Sequence, residues 1–137
     1  MVTTYALDKQ KALQLLNSFL DQFRNCCNQK HPPKADYFET ILSHDFHNSS
    51  SGKQIGKNMH DFLKRIQDVQ KKYSHVDFSR LQECLVSGNK AIIQYDMNRT
   101  LRNGEKSLIN IMAIATIDRD LITHWSQVSH EKEKDHL

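Results

Sequence analysis

Two long apolar segments near the C-terminus, separated by a short polar break, constrain the fold of this chain most. Residues 107–117 and 121–130 are rich in Ile, Val, Thr and Trp, and neither contains Gly or Pro. The break between them is Asp118-Arg119-Asp120. β-Branched and aromatic residues favour strands, and a break of this length suits a hairpin. We therefore expect the central hairpin of a β-sheet here, with any functional site on one of its faces.

The size of the chain predicts one domain with one hydrophobic core. It has 137 residues, 38% of them hydrophobic and 26% charged, which is typical of a soluble globular domain. We expect a single domain over residues 1–137, with a core from about 7 to 130 and a charged tail at 131–137. No apolar run approaches the roughly 20 residues that span a bilayer. The N-terminal residues do not resemble a secretory signal, so a cytoplasmic location and no membrane partner are expected.

Cysteine and charge patterns argue against several classes of site. The three cysteines are Cys26, Cys27 and Cys84, and adjacent cysteines have poor geometry for a mutual disulfide. We expect all three to be reduced and buried. The net charge is +3, with basic residues scattered among acidic ones, so no nucleic-acid partner is expected. No His, Cys, Asp or Glu spacing is typical of a metal site, and we expect neither a metal nor another cofactor.

The N-terminal half predicts three helices. Apolar residues from Asp8 to Cys27 recur at alternating intervals of three and one, which places them on one helical face. Pro32-Pro33 then interrupts the chain, and residues 35–43 carry the spacing of a short second helix. Gly56 opens a third apolar stripe that ends at Tyr73. These segments are expected to pack on one side of the sheet.

After Tyr73 the apolar period changes from 3.6 to 2, which indicates strands. We expect strands over 76–86 and 90–101, joined by a turn at 87–89, and then the central hairpin. Helices followed by antiparallel strands predict an α+β fold, in which three N-terminal helices pack on one face of a curved antiparallel sheet.

The expected turns define which residues share a face. A two-residue turn at Asn103-Gly104 would pair Ile111 with Asp96, and a turn at Asp118-Arg119 would pair Ala113 with His124. One face would then combine small, apolar and polar side chains, a mixture typical of a small-molecule pocket. Its candidate residues are Gln94, Asp96, Asn98, Ile111, Ala113, His124, Ser126 and Val128. Since the opposite face is also largely apolar, we expect it to form a homodimer interface.

Two local motifs resemble a known superfamily. Residues 118–129 read DRDLITHWSQVS, with a His-Trp pair a short distance after the turn, and Asp45-Phe46-His47 precedes a loop and Gly56. Together with the order of elements from about Leu7 to His130, these segments resemble the nuclear-transport-factor-two-like superfamily. That superfamily includes ketosteroid isomerases and SnoaL-like polyketide cyclases. The resemblance implies a cone-shaped fold whose concave sheet face and helices enclose a pocket for a small molecule.

The resemblance also suggests a chemistry, with departures. His47 matches the position at which related isomerases carry their proton-shuttling residue, and Asp45 would lie beside it in the pocket. Ile111 and Ser126, however, replace acidic residues that such enzymes use. His47 is therefore a candidate general base, with His124 or Asp96 as groups that would polarise a carbonyl.

Three functions stay open at this point. The first is a protein that binds a small apolar or carbonyl-containing ligand. The second is a cofactor-free cyclase or isomerase acting α to a carbonyl. The third is an interaction or dimerisation module without a catalytic role. Whether the protein is an enzyme is left undecided by its sequence.

Overall fold

A computed structural model describes residues 7–132; of the predicted tail, residues 133–137 lie outside the described part. Its helices are α1 at Lys9–Asn28 and α2 at Met59–Lys72, with a short 3-10 helix at Ala35–Phe38 between them. The prediction of three N-terminal helices is thus corrected to two α-helices in the described chain. Few residues separate Pro33 from the first strand, which leaves no room for a stable α-helix there.

Seven strands form one curved sheet in the described chain. They are β1 Leu42–Ser50, β2 Lys53–Gly56, β3 Tyr73–Phe78, β4 Leu85–Ser87, β5 Lys90–Leu101, β6 Lys106–Asp118 and β7 Leu121–Glu131. Their order is β2-β1-β7-β6-β5-β3, and β4 also pairs with β5. The α+β class is confirmed, but the sheet is mixed because β1 runs parallel to β7. The strand expected over 76–86 is split into β3 and β4.

The helices begin where side chains can accept hydrogen bonds from free backbone N–H groups. Asp8 caps α1 by accepting from the backbone of Gln10 and Lys11, and Asn58 caps α2 by accepting from Asp61. The predicted apolar face of α1 is buried, and all three cysteines are free and buried as expected. Both helices cover the same side of the sheet, which is called the inner face below.

Two asparagines attach α1 to the chain around the edge strand β3. The side chain of Asn28 donates to the Val76 carbonyl at 2.7 Å and accepts from the Val76 N–H at 2.8 Å. Asn17 does the same with Leu81, at 3.1 and 3.0 Å. Each side-chain amide thus pairs with the backbone N–H and carbonyl of one residue, as the backbone of a neighbouring strand would. Asn17 is buried, although it is polar, because both groups of its amide are paired in this way.

The turn before β6 differs from the expected one. The Leu101 N–H donates to the Glu105 carbonyl at 2.8 Å, which closes a three-residue turn, and Gly104 takes a φ of +92° within it. Ile111 therefore pairs with Tyr95 rather than with Asp96. The predicted register between β5 and β6 was wrong by one residue.

The turn before β7 is Arg119-Asp120, one residue later than expected, and both residues have positive φ. That change alone keeps every side chain on its face. The ladder also skips Thr123, however, because Ile117 pairs with Ile122 whereas Thr116 pairs with His124. This bulge places Ala113 opposite Gln127 instead of His124.

Each one-residue shift reverses the face of a strand relative to its neighbour. With one shift on each side of β6, only β6 is reversed relative to the sequence-based assignment. Tyr95, Ile111 and Trp125 consequently share the inner face and are buried. His124 and Ser126 lie on the opposite side of the sheet, called the outer face below.

Candidate functional site

A cavity of about 410 Å³ lies between the two helices and the inner face of the sheet. Cavities of roughly 300–1,000 Å³ are the size that encloses small organic ligands. Its wall includes Phe62 and Val69 from α2, Phe19 from α1, and Tyr95 and Ile111 from the sheet. This is the candidate functional site.

Aromatic rings form about half of the apolar part of the wall. All six phenylalanines of the chain belong to one network of ring contacts with Tyr95 and the single tryptophan, Trp125. Phe19 lies 4.9 Å from Trp125 and 5.9 Å from Phe62, measured between ring centroids. Such contacts give a rigid wall because the rings hold one another in place.

A few polar groups interrupt this wall. The Tyr95 hydroxyl makes no hydrogen bond within residues 7–132, and burial raises the pKa of Tyr95 well above its usual value. Tyr95 therefore stays protonated at neutral pH and can donate a hydrogen bond. Asn48 also lines the cavity; it is 8% exposed, and its Oδ1 is buried without a partner in the described chain. Trp125 Nε1 already donates to Gln127 Oε1 at 3.0 Å.

The mouth of the cavity is charged. Arg65, Asp68 and Lys72 line it from α2, and all three are exposed, whereas the deeper aromatic residues are buried. Spacings of three and four residues place them on one side of the helix. Arg99 of β5 completes the rim. Within residues 7–132, three cationic side chains and one carboxylate thus lie at the opening.

The predicted catalytic residues lie elsewhere. His47 on β1 pairs with His124 on β7, and their rings stack on the outer face with centroids 4.3 Å apart. His47 Nδ1 is 3.3 Å from the Asp45 carbonyl oxygen. Neither imidazole lines the cavity, since the alternation of β1 directs the neighbouring Asn48 inward instead.

Asp96 is also on the outer face, but far from the two histidines. Its carboxylate accepts from Asn110 Nδ2 at 3.1 Å and lies 3.5 Å from Lys132 Nζ. Across β6, His124 is level with Lys90, six residues from Asp96 along β5. That separation corresponds to about 20 Å. His47, His124 and Asp96 therefore do not meet at a common substrate atom.

The surroundings of His124 disfavour its charged form. The pKa of His124 is lowered, first by burial and then by the neighbouring His47 and Lys90. All three effects oppose the imidazolium form.

Of the other predicted pocket residues, Ile111 lines the cavity and Ala113 is buried on the inner face. The remaining five side chains lie outside the cavity lining: Asp45, Gln94, Asn98, Ser126 and Val128. The predicted residues on β5 and β7 lie outside the cavity because the register between these strands and β6 differs from the expected one. The side-chain alternation within each strand was predicted well, but β6 was matched with the wrong partners.

Sequence reasoning missed Tyr95, Trp125 and Asn48 as cavity residues. Tyr95 and Trp125 alternate along their strands with the predicted pocket residues, so the expected register placed them opposite Ile111. The shifted register of β6 reverses that placement. Asn48 gave one usable signal. It lies two residues after the apolar Phe46, and alternate residues of a strand face the same side. No local sequence motif indicated the charged rim, because Arg99 is distant in sequence from α2.

Within residues 7–132, no group of three or more His, Cys, Asp or Glu side chains is arranged to hold a metal ion. None of the helices described is long and apolar enough to cross a membrane.

Solved structures of the nuclear-transport-factor-two-like fold resemble this chain. A protein assigned as a SnoaL-like polyketide cyclase, from Jannaschia sp. CCS1, superposes with a TM-score of 0.71 at 7% identity, over 93% of this chain and 91% of its own. An NTF2-like protein of unknown function from Exiguobacterium sp. 255-15 gives 0.70 at 11% identity, over 85% and 98%.

A third structure carries a different enzyme name. An LEH-like epoxide hydrolase from M. tuberculosis gives a TM-score of 0.66 at 14% identity, over 89% of this chain and 84% of its own. No protein-family model matches the sequence, and no curated protein matches it significantly. The comparisons confirm the expected fold, which is nuclear-transport-factor-two-like, and proteins of this fold differ in activity.

Proposed function

We propose that this protein binds a small apolar or carbonyl-containing molecule in the cavity between the helices and the sheet. The observation that carries the proposal is the cavity of about 410 Å³, whose wall combines aromatic, aliphatic and a few polar side chains. Among the polar ones is Tyr95, whose hydroxyl makes no hydrogen bond within residues 7–132. Apolar area would hold the ligand, since burial is worth about 25 cal/mol per Å². The hydroxyl would orient it by donating to an oxygen.

The cavity supports binding more directly than proton transfer. A general base must lie within hydrogen-bond reach of the proton that it removes. Among residues 7–132, no histidine lines the cavity, and the one carboxylate in its lining, Asp68, is an exposed rim residue. An isomerase or cyclase activity would need Asp68 or a bound water as base, because His47 lies on the other side of the sheet.

A neutral fluorescent probe tests the proposal. N-Phenyl-1-naphthylamine should bind saturably at one site, with an increase in its emission. Ile111→Phe, which adds volume inside the cavity, should weaken binding at least ten-fold. Leu108→Phe, on the same strand but outside the cavity lining, is the matched control and should bind like wild type. Equal binding by the two variants, or no saturable binding by wild type, would refute the proposal.

A second proposal concerns the outer face, which we expect to form a homodimer. Met112, Ile114 and Val128 are 47%, 41% and 54% exposed, and Met112 pairs directly with Val128. This apolar patch lies at the centre of the sheet, where a second copy could cover it. Sedimentation velocity should detect a dimer that Met112→Glu dissociates. The exposed control Gln82→Glu should stay dimeric, and a monomeric wild type would exclude the interface.

A further inference from the structure

The rim of the cavity has a charge that a purely apolar ligand would not need. Arg65, Lys72 and Arg99 contribute three positive charges, and Asp68 contributes one negative charge. No ion pair within 4 Å joins Asp68 to another described side chain, so its carboxylate neutralises neither Arg65 nor Lys72 directly. The opening to the cavity is therefore electropositive.

Arg99 is held in place chiefly by neutral partners. Its Nη1 donates to the Tyr73 hydroxyl at 2.7 Å, and its Nε donates to Ser107 Oγ at 3.1 Å. The nearest carboxylate, on Glu131, is 3.9 Å from Nη2 and belongs to a side chain that is 62% exposed. An ion pair of that length and exposure is weak. The guanidinium is thus fixed in position while much of its charge remains available.

Tyr73 joins Arg99 to Lys72. The Arg99 guanidinium lies 5.0 Å from the centroid of the Tyr73 ring, and Lys72 Nζ lies 5.6 Å from the same centroid. The Tyr73 hydroxyl accepts from Arg99, which leaves its own proton free to donate, and Tyr73 also lines the cavity. Two cations and one hydroxyl donor therefore converge on one side of the mouth.

From this arrangement we infer that the ligand is an amphipathic anion, a carboxylate on an aromatic or aliphatic body. The body occupies the aromatic part of the cavity, and the carboxylate lies at the mouth near Lys72, Arg99 and Tyr73. Charge-assisted hydrogen bonds are roughly twice as strong as neutral ones, and the adjacent apolar wall reduces screening by water. This inference rests on the proposed function, because it assigns a ligand class to the same cavity.

Matched pairs of acid and alcohol test the inference. Quenching of Trp125, the only tryptophan, reports binding of 4-phenylbutanoate and of 4-phenyl-1-butanol, and octanoate and 1-octanol form an aliphatic pair. Wild type should bind one or both acids at least ten-fold more tightly than the matching alcohol at low salt. The preference should fall several-fold in 0.5 M NaCl, because salt screens exposed charges.

Variants that remove one positive charge test which residues cause the preference for the acid. Lys72→Gln should reduce the preference for the acid at least three-fold, and Arg99→Gln should reduce it further. Lys72 is exposed, so its replacement keeps the test valid even if Arg99→Gln disturbs the fold. Lys64→Gln is the control, since Lys64 is an exposed α2 residue outside the cavity lining. Its acid-to-alcohol ratio should equal that of wild type.

The outcomes separate the two proposals. Equal affinity for acid and alcohol, or an equal loss of preference in Lys64→Gln and Lys72→Gln, would overturn the inference and leave the small-molecule site standing. Failure of both pairs to bind, while N-phenyl-1-naphthylamine still binds, would overturn the inference alone. If the neutral probe also fails, the proposed function itself is wrong.

Discussion

The imidazole rings of His47 and His124 stack with centroids 4.3 Å apart and planes 17° from parallel, on the sheet face opposite the cavity. Parallel pairing of β1 with β7 brings them together, although 77 positions separate them in the chain. Both residues looked like candidates for acid–base chemistry because histidine titrates near neutrality. Neither of them lines the cavity, because the sheet lies between the two imidazoles and the cavity.

Replacing His47 should leave ligand binding intact. His47→Gln removes an outer-face imidazole without touching the cavity, so its dissociation constant for N-phenyl-1-naphthylamine should stay within two-fold of wild type. Ile111→Phe supplies the contrast, because that side chain is inside. A loss of probe binding in His47→Gln comparable to that in Ile111→Phe would contradict the placement of the site.

His124 should make the protein less stable in acid. Its pKa in the folded state is lowered, mainly by burial, so the unfolded chain binds the proton more tightly. Its contribution to stability is complete above its ordinary pKa of about 6.5 and is lost as the pH falls through the lower, folded value. The drop in Tm from pH 7.5 to 5.5 should be smaller in His124→Gln than in wild type. His60→Gln, an exposed position on α2, should show the wild-type drop; identical drops in both variants would rule out this linkage.

Asn17 should be important for the attachment of α1. Asn17→Leu removes both hydrogen bonds to Leu81 and leaves a buried N–H and carbonyl unpaired. The loss should lower the free energy of unfolding by about 1–3 kcal/mol. Urea denaturation measures it, with the exposed neighbour substitution Ser18→Ala as control. A change below about 0.5 kcal/mol, the usual size for surface substitutions, would show that water replaces these bonds without cost.

Replacing Gly56 should destabilise the fold because a side chain at this position would meet Asn48. A Cβ at Gly56 would overlap with Asn48 Oδ1, and Asn48 is buried on the adjacent strand. Gly56→Ala should therefore destabilise the fold by about 1–3 kcal/mol, the usual cost of overpacking. Asn48→Ala removes the clashing amide. In the Asn48→Ala background, Gly56→Ala should therefore lower the free energy of unfolding less than it does in the wild-type background. Strict additivity of the two effects in a double-mutant cycle would exclude the contact as the cause.

The sequence alone determined the local structure well. The apolar spacing of α1 and α2 and the alternation along β5, β6 and β7 are all properties of short segments. Local patterns predict them because neighbouring residues determine a helical face or a strand period. The burial of the cysteines and the α+β class follow from the same kind of information.

Only the tertiary structure decided which faces meet. A three-residue turn at 102–104 and a bulge at Thr123 each displaced β6 by one residue, and both depend on packing between strands. The parallel β1–β7 pair and the convergence of Arg99 with Lys72 and Tyr73 join residues that are distant in sequence. The cavity and its charged rim therefore could not be read from any single segment, because they exist only where separate elements pack.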